Sequence, residues 1–375
     1  MKIAIMTQPL GTNYGGIMQA YALQRVLLGL GHEVTTIDYH GPKSSRIYKA
    51  TRLGYRLLQK LTGRRKSPIA MEGYYPDIFE NTFSFIEDNI SCSERVESTS
   101  QLLGHFENRS YDIVVVGSDQ TWRPKYSPNI YNYFLEFIEM QDIKRVAYAT
   151  SFGVDDWEFD EIETARCADL VKKFDGVSVR EKSGVQLCKK YLGIDADFVL
   201  DPTMLLTKED YLNVIDNTDF NKQGVFCYFL DKNQEKDDIS ALVSEYYALS
   251  LFSTYARLPL SSVSSSNIDD YKLPRVEDWL KSFYQASFVV TDSFHGCVFS
   301  IIFNVPFIVV ANQQRGVARF ESILRALGLE DRMVMSVNEI DMEKLAAPID
   351  WSEVNAKLAE LRNESQSFLK SSTGV

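Results

Sequence analysis

The chain has 375 residues, of which 45% are hydrophobic and 24% charged, with a formal net charge of -11. That length exceeds one ordinary core and implies two domains, in a composition typical of a soluble globular protein. The acidic balance argues against general nucleic-acid binding, and the lack of an apolar run of about 18 residues argues against a membrane-spanning helix.

The N-terminal "MKIAIMTQPLG" pairs a short apolar run with a turn and reads as a first strand over 2–7, not as a signal peptide. Gly11-Thr12-Asn13-Tyr14-Gly15-Gly16 follows, and then a helical pattern over 16–30. Glycines allow close backbone approach, Asn13 suits a helix cap, and a helix N-terminus offers unpaired N–H groups to an anion. The spacing fits neither GxGxxG nor a Walker sequence, so the loop reads equally as a ligand site or a tight corner. A second strand over 33–39 carries Asp38, a position where an acid can meet a ribose.

Between Gly41 and Met71 no acidic residue occurs, while nine basic ones do, from Lys43 to Lys66. On a helical projection Lys49, Arg52, Arg56 and Lys60 form a stripe, and Ile47, Leu53, Leu57, Leu58 and Leu61 gather on another face. One reading is an amphipathic element that meets a membrane or an anionic, lipid-linked substrate. The plainer one is a helix packed on its own domain with a solvated basic face. The stretch 67–109 reads as a helical insertion.

Further strands are predicted over 113–118, 145–151, 177–180 and 198–200, with helices over 164–173 and 183–191. Strands alternating with helices indicate a mostly parallel sheet covered on both faces. Past Pro202 a domain boundary is placed near Leu205. Strands over 224–230, 248–255, 287–293 and 306–312 then build a second domain to about 345, and 346–375 forms a long helix suited to packing across the junction. The expected class is α/β, two doubly wound Rossmann-like domains with a cleft between their carboxyl ends.

Residues just after the strands are therefore the candidates. "VVVGSDQTW" delivers Asp119, a base or a turn residue, and "SVREKSG" delivers Arg180, which holds an anion or pairs with Glu181 at the surface. Asp201 ends its strand and reads as structural. "VVTDSFHGCVFS" presents Asp292, Ser293 and His295, where a histidine at a helix N-terminus can bind an anion, shuttle a proton or simply cap. Arg315 and Arg319 follow the next strand and hold an anion or face solvent. The five cysteines (Cys92, Cys167, Cys188, Cys227, Cys297) are scattered and the four histidines dispersed, which fits reduced thiols in the cytoplasm and calls for no metal and no cofactor.

Taken together and in order, "GTNYGGIMQAYALQ", "GHEVTTIDYH", "VVVGSDQTW", "VSVREKSG", "FVLDPTMLL" and "VVTDSFHGCVFSIIFNVPFIVV" resemble the polysaccharide pyruvyl transferase family from residue 2 to about 330. The resemblance implies a GT-B-like fold. It also implies transfer of pyruvate from phosphoenolpyruvate onto sugar hydroxyls of a cell-surface polysaccharide precursor, forming a ketal and releasing phosphate. On that basis Arg180, Ser293, Arg315 and Arg319 would bind the donor, and His295 would act as acid or phosphate contact. Asp119 or Asp292 would accept the hydroxyl proton. Asn13, Tyr14, Gly15 and Gly16 would meet the acceptor or its lipid carrier, at the inner face of the membrane if the basic segment docks there. The chain departs from the family pattern at Ser293-Phe294-His295, where members resemble Arg-x-His. A nucleotide-sugar glycosyltransferase and a non-catalytic sugar-binding member are the competing readings.

Overall fold

The structure, a computed structural model, describes all residues except 42–45, 66, 216–220, 259–261, 264, 312–315 and 375. Continuous apolar runs set the strands: "IVVV" of Ile113–Val116 is buried at every position, as a parallel strand covered on both faces must be. Six strands form the first sheet: β1 (Lys2–Met6), β2 (Glu33–Thr36), β3 (Ile113–Val116), β4 (Lys144–Thr150), β5 (Gly176–Val179) and β6 (Asp197–Phe198). Five form the second: β7 (Gln223–Tyr228), β8 (Leu251–Phe252), β9 (Ala286–Thr291), β10 (Phe307–Val310) and β11 (Met333–Val334).

The spatial orders are β2-β1-β3-β4-β5-β6 and β11-β10-β9-β7-β8, and each pairing is parallel. Two α/β domains with parallel sheets are thus the architecture, as the alternation of strands and helices predicts. Edges came out shorter than the apolar runs suggest. The run 248–255 contributes only the two residues of β8, because Ala248 (φ 52°) caps the preceding helix Gln234–Tyr247 in a left-handed turn. That helix and β11 carry no pattern that the sequence reading picked out.

Helix Tyr14–Gly29 covers the first sheet and is capped by Asn13, whose side chain accepts from Gly15 N at 3.1 Å. Helix Glu161–Val171 starts on a capping box of Asp160 and Glu163. The insertion after β2 is helical, including Arg46–Leu61, Glu80–Asn89 and Thr99–Asn108. The final helix, Trp351–Thr373, leaves the second domain and lies on the first: Ser365 Oγ accepts from Leu200 N at 2.9 Å and Arg362 Nε donates to Met204 O at 2.8 Å.

The two domains close on each other beside the cleft. Tyr14 stacks on Trp279 with ring centroids 5.2 Å apart, and its hydroxyl donates to Pro274 O at 2.6 Å. Asn81 Nδ2 donates to Leu273 O at 2.7 Å, and Lys182 N donates to Ser322 Oγ at 2.9 Å.

Candidate functional site

In each sheet the chain reverses its winding once, between β1 and β3 in the first and between β7 and β9 in the second. Doubly wound sheets bind ligands outside the strand ends at that point. Here both points open on one cleft of about 310 Å³, lined by Gln8, Asn13, Asp119 and Gln120 from the first domain and by Leu230, Asp292–His295, Arg319 and Phe320 from the second.

The first wall is built by an amide latch. Gln19, fully buried in the first helix, donates to Thr7 Oγ1 at 2.8 Å and accepts from Ser118 N at 3.0 Å, tying the ends of β1 and β3 together. Gly117 (φ 137°) makes this corner possible, since a Cβ there would sit 1.9 Å from Tyr148 O. The chain then presents Asp119 in the left-handed region (φ 68°).

Asp119 belongs to a buried charge cluster. Arg180 Nη2 donates to Asp119 Oδ1 at 3.0 Å, and Arg180 Nη1 donates to Asp201 Oδ2 at 2.5 Å. Arg180 is therefore no surface partner of Glu181. Glu181 is itself buried and accepts from Phe152 N and Gly153 N at 2.7 and 3.2 Å. Asp201, which looks structural in sequence, sits at the centre: Thr203 N and Oγ1 donate to its Oδ1, and His295 Nε2 lies 3.7 Å from its Oδ2. Burial works against ionisation of Asp201, but His295 and Arg180 outweigh it and hold the carboxyl well below the usual range. For Asp119 burial is likewise outweighed, by Arg180, His295 and Arg319, and its carboxyl is lowered. Glu181 goes the other way, because burial dominates and raises it.

The second wall is the start of helix Phe294–Ile302. Ser293 caps it, its Oγ accepting from Gly296 N at 3.3 Å, and His295 stands in its first turn. Phe294 lies between two guanidiniums, with Arg180 Cζ 5.1 Å and Arg319 Cζ 5.4 Å from its ring centroid. Arg319 lines the cleft, and burial, reinforced by the neighbouring Arg180, pulls its guanidinium down to about 10.

Asp292, one of the two candidate bases, lines the cleft with both carboxyl oxygens already engaged. Its Oδ1 accepts from Leu230 N at 2.7 Å, and its Oδ2 accepts from Asp231 N at 3.2 Å and from Lys236 Nζ at 2.5 Å. Both oxygens hold the loop after β7 in place. A strand-end aspartate reads the same in sequence whether its oxygens are free or held by neighbouring loop N–H groups.

The N-terminal loop also divides. Asn13 lines the cleft. Tyr14 is buried against Trp279 instead, and a Cβ on Gly15 would lie 2.0 Å from His295 Nδ1, so Gly15 is where the first domain touches the catalytic-candidate ring. Gly16 is half-buried behind Asn13. Arg315 lies outside the described residues. Asp201, Gln19 and Phe294 went unrecognised in sequence; only the strand-end position of "FVLDP" marks Asp201. Among the described residues no group of three or more metal-ligating side chains occurs.

The fold has solved relatives. The chain superposes on UDP-GlcNAc 2-epimerase from Neisseria meningitidis with a TM-score of 0.53 at 9% identity, covering 99% of this chain and 94% of that one. A putative UDP-N-acetylglucosamine 2-epimerase from Listeria monocytogenes gives 0.52 at 12%, over 99% and 96%, and the Rickettsia bellii enzyme 0.52 at 10%, over 99% and 96%. These likenesses show a GT-B-like fold and nothing of the chemistry. No curated protein matches the sequence significantly. The family model for polysaccharide pyruvyl transferases matches residues 13–314, a span that contains the switch point of the second sheet and every described residue of the cleft named above except Gln8, Arg319 and Phe320. The chain belongs to the polysaccharide pyruvyl transferase family.

Proposed function

We propose that the protein transfers the pyruvyl group of phosphoenolpyruvate onto two hydroxyls of a saccharide acceptor, giving a cyclic ketal and inorganic phosphate. The observation that carries this reading is the meeting, in one cleft, of His295 on a helix N-terminus, Arg319, and the Arg180–Asp119 pair. A helix N-terminus and a guanidinium form a receptor for a phosphate or carboxylate. Arg319 takes over the charge that the family's Arg-x-His supplies where this chain has Ser293.

The chemistry needs one proton on the methylene carbon and loss of two hydroxyl protons. His295 protonates that carbon as the first hydroxyl adds to C2, and Asp119, held ionised by Arg180, takes the hydroxyl proton. The C2–O bond to phosphate then breaks, the second hydroxyl closes the ketal, and its proton leaves with the phosphate. The helix N-terminus and Arg319 stabilise the departing anion. Asn13, on the first domain, orients the acceptor. The residues that bind nothing in this scheme, Asp292 and Lys236, keep the wall in register.

The test is phosphate release from phosphoenolpyruvate in the presence of a candidate sugar acceptor. The rate is expected to fall by about 100-fold or more in His295→Ala, the loss typical of a positioned acid. Undiminished release in that variant would sink the assignment. A cleft that turns over a nucleotide sugar instead would make the chain a glycosyltransferase.

A further inference from the structure

Helix Arg46–Leu61 carries its apolar side the wrong way round for a globular fold. Arg52 and Arg56 both pair with the exposed Glu72, and Arg56 Nη1 also donates to Ile69 O at 3.0 Å. The leucines turn outward, with Leu53 41%, Leu57 46%, Leu58 59% and Leu61 77% exposed. Tyr48 and Tyr55 are exposed too, and Lys49, Lys60 and Arg64 flank the leucine side in solvent. A helix that folds only to bury a stripe places its leucines inward and lets its charges solvate. This one leaves its leucines in solvent together with its lysines.

We propose that this helix docks the protein on an anionic lipid bilayer, its leucines entering the headgroup boundary and its lysines contacting lipid phosphates. Three observations select a bilayer over other occupants. The segment from Gly41 to Met71 has nine basic and no acidic residues in a chain of net charge -11, so its partner is anionic. Leucines bordered by lysine and tyrosine match the composition of helices that lie in the membrane interface. A second copy of the chain is disfavoured, because face-to-face helices would bring two basic arrays within the roughly 10 Å over which charges repel at moderate salt. The helix is too short to span the bilayer, since a span takes about 20 residues, so it lies flat.

Docking has a consequence for the cleft. Glu72, the ion-pair partner of Arg52 and Arg56, also lines a groove of about 790 Å³ with Leu10, Thr12, Phe79 and Phe83. The loop that forms one wall of this groove runs on into Asn13 of the cleft. A saccharide carried on a lipid would thus enter from the bilayer side. The docking itself does not depend on the pyruvyl-transfer reading, and the two fail by separate measurements.

The test is flotation of the full chain with vesicles of phosphatidylcholine containing 30% phosphatidylglycerol (a chosen composition of about that value). Wild type is expected to float with these vesicles, less so as salt rises, and not with pure phosphatidylcholine. Leu58→Glu/Leu61→Glu is expected to bind at least about ten-fold more weakly, and Lys49→Glu/Lys60→Glu similarly, because each change opposes either insertion or lipid charge. All four side chains are exposed, and an unchanged melting temperature establishes that the variants fold. The proposal is overturned by absence of wild-type binding, by equal binding of the leucine variant, or by a vesicle-independent dimer that the leucine variant dissolves.

Discussion

Gly15 and Asp201 show how single residues set the cleft. The first turn of helix Tyr14–Gly29 touches the His295 ring so closely that no Cβ fits. Gly15→Ala therefore displaces that ring, with a destabilisation of about 1–3 kcal/mol, the usual cost of overpacking, and a fall in turnover out of proportion to it. Full activity in Gly15→Ala would mean that the position of His295 is unimportant. Asp201 anchors Arg180 from the other side, and breaking one partner of a buried ion pair costs about 3–5 kcal/mol. The pH dependence follows from the direction of the shifts. Asp201 and Asp119 titrate lower folded than unfolded, so their contribution is complete above the unfolded carboxyl value of about 3.9 and is lost as pH falls below it. Melting curves should thus show the gap between wild type and Asp201→Asn narrowing from pH 6 to pH 3. A constant gap would argue that the aspartate is not ionised in the fold.

At the scale of elements, the junction between domains is made by helix ends. The start of the first helix meets helix Val276–Gln285 through Tyr14 and Trp279, and the last helix bonds to Leu200 and Met204 in the segment after β6. Tyr14→Phe keeps the ring stack but removes the hydrogen bond to Pro274 O, and is expected to lower folding stability by about 1 kcal/mol. Trp279→Ala removes the stack and leaves a cavity, at about 3–5 kcal/mol. Chemical denaturation distinguishes the two, and equal losses would show that the stack contributes nothing beyond the hydroxyl.

The whole molecule brings two switch points to one cleft, so a ligand that fills it contacts both domains and binds only the native state. Phosphoenolpyruvate at 100 times its dissociation constant should raise unfolding free energy by about 2.7 kcal/mol. Thermal melts with phosphoenolpyruvate and with UDP-GlcNAc check this. Stabilisation by the nucleotide sugar alone would replace pyruvyl transfer by sugar transfer as the reading of the cleft. Among the described residues no helix is long and apolar enough to cross a membrane.

The sequence by itself determined the succession of parallel strands and helices, because buried runs such as "IVVV" and capped starts such as Asn13 are local properties of the chain. It also marked the strand ends that those candidates follow, since loops follow strands whatever the side chains do. Only the tertiary structure decided what those side chains face. Arg180 pairs with residues 61 and 21 positions away, Asp292 with the backbone of a neighbouring strand's loop, and Gly15 with a histidine from the other domain. The leucines of Arg46–Leu61 make a regular stripe in sequence, but a stripe fixes only which residues share a face. That this face lies in solvent is visible only once the chain is folded.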